Sequence, residues 1–533
     1  MPPAASLAIV GARIRTLDRS LPEASAVAIH DGRIVHVGDD RAVRALCDTS
    51  TEIVDGAGLH VVPGLTDSHI HPFMGALRTL GADLTAARSL ADVRAAMAAE
   101  RQMVGPGHWV RGWGCSYEPW DGPGLRGDLF DDAVGGQPAF IGIMDGHTAI
   151  ANGAALSQAG IDGPRRFAEA AEIVCDDDGR PTGELREWAA MDLVQAVMPQ
   201  LSDNERYDLF VETFKRFNRL GLTGLHAMDG TPEDLDTLRR MESNGDLSCR
   251  VVQPMRVNPE MDRHEWEPLL AQKEARGRQW RCGVAKFFID GVIDTGTGWL
   301  IEPDTHGEGR LPFWPDPAWY TEAVARFAKA GFQCVTHAVG DMAVRHALDA
   351  YRAAGAAPGV RHRIEHIELV DDADLPRFAA EGVVASMQPL HMQWFLPSWA
   401  EHVGPERAAK AGRARSIRDT GATLALGSDW MVATEDPRIG MAWAQLRRPG
   451  GAPEWRPVTP DEVLTPLQVI EGYTTAAAYT VGEEECSGRI APGFRADLTA
   501  FAADPAECGG DALPGLPVLL TTVDGQIVHR AEA

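Results

Sequence analysis

The chain has 533 residues, 44% of them hydrophobic and 24% charged, which describes a globular protein with room for more than one domain and excludes disorder as the default. Its 50 Lys and Arg against 76 Asp and Glu give a formal charge of -26, which repels phosphate backbones and anionic lipid and argues against nucleic acid or a membrane as partner. The opening MPPAASLAIVGARIRTLD lacks a basic-then-apolar leader, and no stretch approaches the roughly 20 apolar residues of a membrane span. The eight cysteines form no CxxC pair, so a cytoplasmic protein with reduced thiols is expected. Any metal would then be held by His, carboxylate or a modified Lys.

In chain order, residues 7–62 alternate short β-type runs with turns, and Asp31-Gly32 between AVAIH and RIVHVG predicts a type I′ hairpin. The end of the chain repeats the pattern around Asp524-Gly525. Residues 1–62 and 481–533 are therefore expected to form one small composite β-sandwich, with residues 63–480 inserted between them.

Within the insert, apolar β-rich runs alternate with helical stretches, which predicts βα units and a parallel sheet. Eight runs qualify, near 60–67, 223–229, 249–257, 284–290, 333–339, 361–369, 383–390 and 423–429. Eight is the strand count of a closed α/β (β/α)8 TIM barrel. After the first run the gap is far longer than one crossover helix requires, so residues from about 78 to 220 are read as an inserted cap. The cap carries its own β-type runs, GHWVRGWGC and PAFIGIMDGH, and a hairpin signal in EIVCDDDGRPTGEL. Ser202 and Glu205 fit a capping box for a helix leading back to the barrel, and Gly221 fits its stop.

The chemistry begins at GLTDSHIHPF, residues 64–73. One residue apart on an extended strand, His69 and His71 point to the same face and can reach one ion; alone they fit a solvated strand end better. His337, His366 and Asp429 each fall at the carboxyl end of a predicted strand, the face where barrel enzymes collect active-site residues. Lys286 lies inside the apolar run VAKFFID, where an unpaired ammonium is costly. It is either paired with a carboxylate such as Asp290 or carbamylated to a carboxylate that ligates metal.

Together DSHIH, VAKFFIDG, THAVGD, RIEH and GSDW resemble the amidohydrolase superfamily, specifically its YtcJ-like members of amidohydrolase family 3. The likeness extends to VVPGLTDSHIH, the cap motifs DGHTA and DGRPTGELRE, and the closing GRIAPGFRADLTAF. It implies a (β/α)8 barrel, a flanking composite β-sandwich and one or two divalent ions, zinc foremost, in the barrel mouth. By motif, His69 and His71 would ligate the first ion and carboxylated Lys286 would bridge to a second. His337 and His366 would serve that second ion, and Asp429 would touch the first metal and the attacking water. Asp67 is expected behind the ligands. Coordination lowers the pKa of water from about 15.7 to about 7. With Asp429 as general base and a metal or a protonated histidine polarising the carbonyl, the outcome is hydrolysis of an amide-like C–N bond.

The cap adds a second tier. Asp145 and His147 resemble the family's cap motif, and His147 would either bind substrate or hold the cap in place. Trp113 would form an apolar wall or pack in a core. Glu187 would stand near the metals or anchor Arg186. The run SMQPLHMQWF, 386–395, would line an apolar pocket or fill the core. DGVIDTGTGWL and GSDWMV depart from the Ser-Arg-Thr element and the GSDWPV frequent in the family, so the motifs do not carry a substrate across.

The leading expectation is a hydrolase of a small-molecule amide such as an N-substituted formamide or N-acyl amine. Cyclic imide or lactam opening and heterocycle deamination on the same site are the alternatives, and a non-catalytic binding scaffold is the reading from a different class. The only partner expected beyond a small-molecule substrate is a second copy in a homodimer.

Overall fold

Eight parallel strands organise the computed structural model, which describes residues 4–532 apart from 121, 123, 145, 147, 168–170 and 395. They are β1 (Leu65–Ile70), β2 (Leu222–Ala227), β3 (Arg250–Arg256), β4 (Trp280–Phe288), β5 (Gln333–Ala338), β6 (Arg363–His366), β7 (Val384–Met387) and β8 (Leu424–Leu426). Each pairs in parallel with the next from β1 to β8. Every residue of β2, β5, β6, β7 and β8 is buried, as expected for a parallel sheet covered on both faces. The expected α/β barrel is therefore present.

Between β8 and β1 a side chain does the work of a ladder. The Asp67 carboxylate accepts from the backbone N–H of His69 and of Ser428, both at 3.0 Å, and Asp429 N donates to His69 O at 2.7 Å. At Gly427 a Cβ would lie 2.5 Å from His69 N, so the two strands approach this closely only over a glycine.

The apolar run expected as a single strand over 60–67 divides at Gly64. His60–Pro63 pairs with Leu498–Phe501 and Leu7–Arg15 in the terminal sheet, and β1 begins only at Leu65. Gly64 N donates to Asp497 O at 2.8 Å, and a Cβ at Gly64 would lie 2.2 Å from Thr223 Oγ1. Only a residue without a side chain lets the backbone pass from one sheet to the other there.

Both chain ends enter one mixed eight-stranded sheet. Its hairpins turn at Asp31-Gly32 (φ 45° and 70°) and Asp524-Gly525 (φ 53° and 73°), the positive φ pair of the predicted turn. Alternation along Leu7–Val10 sends Leu7 and Ile9 to one buried cluster and Ala8 and Val10 to another, and a register shift between Val10 and Ile14 returns Ala12 and Ile14 to the first.

The chain separates into two compact units, Met1–Pro72 with Val211–Ala533, and Phe73–Phe210. The smaller has a six-stranded sheet of its own, including Val110–Cys115 and the hairpin of Glu172–Cys175 with Pro181–Arg186. Helix Leu90–Val104, opened by a Ser89–Asp92 capping box, buries Val93 and Met97 with Ile141 of that sheet. Helix Asp203–Arg219 starts at the predicted Ser202–Glu205 box and ends before Gly221, at φ 91°. Among the described residues no helix is long and apolar enough to cross a membrane.

Candidate metal centre

The parallel strands deliver side chains to one end of the barrel. His69 is the last residue but one of β1, His71 follows the strand, His366 ends β6, and Asp429 lies three residues past β8. His366 (φ 71°) and Asp429 (φ 57°) both hold the left-handed conformation that costs an L residue energy, a strain that collects at functional sites.

Asp429 is the hub. Its Oδ1 lies 3.2 Å from His69 Nε2 and 3.3 Å from His71 Nε2; its Oδ2 lies 3.4 Å from His391 Nε2 and 4.0 Å from His366 Nδ1. Three of these rings are aimed by a carboxylate on their other nitrogen. His69 Nδ1 meets Glu365 Oε2 at 2.6 Å, His71 Nδ1 meets Asp229 Oδ1 at 2.9 Å, and His391 Nδ1 meets Glu368 Oε1 at 3.1 Å. A carboxylate on the remote nitrogen sets the ring's tautomer and orientation, the usual arrangement behind a metal-bound histidine. Glu365 is in turn held by Arg363, whose guanidinium also meets His226 Nδ1 at 3.1 Å, all of it buried.

Lys286 sits wholly buried on β4 with its Nζ 4.6 Å from the centre of the Phe288 ring and, among the described residues, without a hydrogen-bond partner. Pairing with Asp290 does not occur. The Asp290 carboxylate accepts from Trp299 N, Val339 N and Gly340 N at 2.8 to 3.0 Å. His337 packs against His366, ring centroids 4.3 Å apart, and donates from Nε2 to Gly291 O at 3.0 Å.

Burial works against every charge here, and neighbours decide which charges survive. Burial brings the Lys286 ammonium down to about 8 and His337 down to about 3. Burial would also discharge His71 and His391, but Asp229 and Asp429 raise the first to about 9, and Asp429 and Glu368 raise the second to about 9. Glu365, despite burial, is held at about 2 by Arg363 and His69. Rings clasped between carboxylates demand a cation, which a metal supplies in exchange for protons. His69, His366 and Asp429 form one group whose ligand atoms lie within 4.8 Å of one another, and His366, Glu368 and His391 form another. Imidazole nitrogen with carboxylate oxygen suits zinc and similar divalent ions, so the residues present fit a metal.

Asp229, Glu365, Glu368 and His391 were not anticipated. Their signals were adjacency to strand ends: Asp229 follows TGLHAM, Glu365 and Glu368 flank His366 in RIEHIEL, and His391 stands in the run assigned to a pocket wall or core packing. Trp113 lies on Val110–Cys115 and Glu187 precedes helix Trp188–Gln195 at φ 62°, both in the smaller unit. Asp145 and His147 lie outside the described residues.

A family model described as amidohydrolase family matches residues 52–529. The chain belongs to the amidohydrolase family. It is a YtcJ-like member, as its motifs indicated. This amidohydrolase is 30% identical to the protein LONG AFTER FAR-RED 3 of Arabidopsis thaliana, over 94% of this chain and 88% of that one. It is 27% identical to N-substituted formamide deformylase of Arthrobacter pascens, over 98% of both chains. Its fold is shared with an uncharacterized metal-dependent hydrolase from Pyrococcus furiosus, at a TM-score of 0.74 and 24% identity over 94% of this chain and 100% of that one.

Proposed function

We propose that this amidohydrolase is a metal-dependent hydrolase of a non-peptide C–N bond in a small molecule, an N-substituted formamide or N-acyl amine. The observation that carries the reading is the Asp429 carboxylate facing His69 Nε2 and His71 Nε2 at 3.2 and 3.3 Å, each ring backed by its own carboxylate. Likeness to a formamide deformylase along nearly the whole chain supports the substrate class.

A divalent ion, when bound, supplies Lewis acidity that acidifies water and polarises a carbonyl. The chain's own groups do the rest. His69, His71 and His366 would offer ring nitrogens as ligands, while Glu365 and Asp229 keep two of those rings in register. Asp429 takes the proton of the attacking water at a carboxylate oxygen and returns it to the departing nitrogen, so that an amine and an acid leave. Lys286, buried and without a hydrogen-bond partner among the described residues, would lose its ammonium proton, add carbon dioxide at Nζ and release a second proton, leaving a carbamate anion able to serve as a ligand, with His337 and His366 as neighbours.

The test is elemental analysis of the purified protein joined to a screen of formamides, N-acyl amines, lactams and aminated heterocycles. Release of acid and amine in equal amounts, dependent on bound metal, is expected. Turnover that survives removal of all divalent ions would overturn the reading, and ammonia as the only small product would redirect it to deamination.

A further inference from the structure

Four histidines surround Asp429, and its two oxygens divide them into pairs. Oδ1 faces His69 and His71; Oδ2 faces His391 at 3.4 Å and His366 at 4.0 Å. Resting on the metal-dependent reading above, the geometry points to a cation seat formed by His366, His391 and Asp429 Oδ2, with Glu368 orienting His391, so that His391 is a metal ligand of this centre.

Three observations carry it independently of the resemblance. His391 is built as His69 and His71 are: Nδ1 on a buried carboxylate, Nε2 toward Asp429. His366, Glu368 and His391 bring one ligand atom each to within 4.8 Å of one another. They also line a partly open cavity of about 10 Å³, room for a single water or ion, on the side of His391 that carries Glu368. Gln388, 4% exposed, lines the same cavity, and neither its amide nitrogen nor its amide oxygen has a hydrogen-bond partner among the described residues. Buried polar atoms left this way call for an ion or water beside them.

A core imidazolium clasped by Glu368 and Asp429 would account for both nitrogen contacts of His391. It does not account for the partnerless Gln388 amide and the cavity beside it. The seat places Asp429 between two cations, one on each oxygen, with His69 and His71 on one side and His366 and His391 on the other. His391 is supplied by a helix after β7, so the second pair of ligands does not come from barrel strands alone.

Full-length protein stripped of metal is titrated with Co²⁺ alone, followed by its visible absorption and by elemental analysis. Wild type is expected to take two equivalents. His391→Asn should take one, with the absorption of the second lost. Glu368→Gln should keep both but bind the weaker one about 10- to 100-fold less tightly. Circular dichroism and a thermal melt of each variant establish that it is folded, and wild-type stoichiometry requires no variant. One equivalent in wild type, or folded His391→Asn and Glu368→Gln proteins with unchanged stoichiometry and affinity, would overturn the seat while leaving the hydrolase reading standing. No equivalent at all would overturn both.

Discussion

His69 and Glu365 are 296 residues apart in the chain and 2.6 Å apart in space, Nδ1 to Oε2, so the sixth barrel strand sets the ring on the first. Replacing Glu365 by Gln keeps the shape and removes the charge. Metal affinity should fall about 10- to 100-fold, because the ring loses its anionic partner. The buried Arg363 would also lose its counter-charge, a change that costs about 3–5 kcal/mol when a buried pair is broken. A metal titration and a melt of the metal-free variant read the two effects separately; affinity equal to wild type would refute the first.

Asp429→Asn leaves an oxygen to face one pair of rings and puts an amide where the proposed mechanism needs a base. A fall in kcat of about 10²- to 10⁴-fold is expected, the range attributed to general acid–base catalysis. Retention of metal in this variant would separate the loss of the base from the loss of a ligand.

Lys286→Met replaces an ammonium that has no partner among the described residues with an apolar chain of similar length. The metal-free protein should melt no lower than wild type, since an uncompensated buried cation is removed. Activity should fall steeply in the same variant. Labelling with ¹³C-bicarbonate should place one carbamate carbon on wild type and none on Lys286→Met.

Gly427→Ala tests the seam between β8 and β1. Its methyl would lie 2.5 Å from His69 N and 2.9 Å from Asp67 Oδ1, so the strands must part. Stability and metal affinity should decline together, and a variant with wild-type melting and wild-type metal binding would show that the seam yields freely.

The terminal sheet is tied to β3 by Arg250, which reaches Asp497 at 2.5 Å and Asp524 at 2.9 Å, with Arg278 also on Asp524. Burial opposes ionisation of Asp524, but Arg278 and Arg250 outweigh it and hold the carboxyl below its usual range. A carboxylate depressed in the folded state adds stability that is complete above its unfolded pKa, about 3.9, and fades as pH falls through the lower folded value. Asp524→Asn should therefore unfold more easily than wild type at pH 7, and the gap should close in acid below about pH 4. A gap that stays constant from pH 7 to pH 3 would rule out the charge as its cause.

Periodicity, turn dipeptides and spacing were enough to reveal the α/β barrel, both terminal hairpins and the helix opened by Ser202, because each is specified by neighbours a few residues away. The break at Gly64 was invisible because the apolar run is continuous across it; only the packing of Thr223 and the pairing with Asp497 divide it. The same boundary separates the residues of the centre. His69, His71, His366 and Asp429 stand at strand ends, where local pattern and barrel geometry coincide, and the fold brings them together. Whether Lys286 meets Asp290 could not be read from four residues of spacing, since the loop beyond β4 turns that carboxylate onto three backbone N–H groups. Asp229, Glu368 and His391 act through contacts spanning 23 to 158 residues of chain. The sequence by itself determined which elements form and which ends of strands carry nitrogen and oxygen donors. Tertiary structure alone decided which carboxylate aims which ring, because that choice depends on distances of about 3 Å between residues that local propensity never compares.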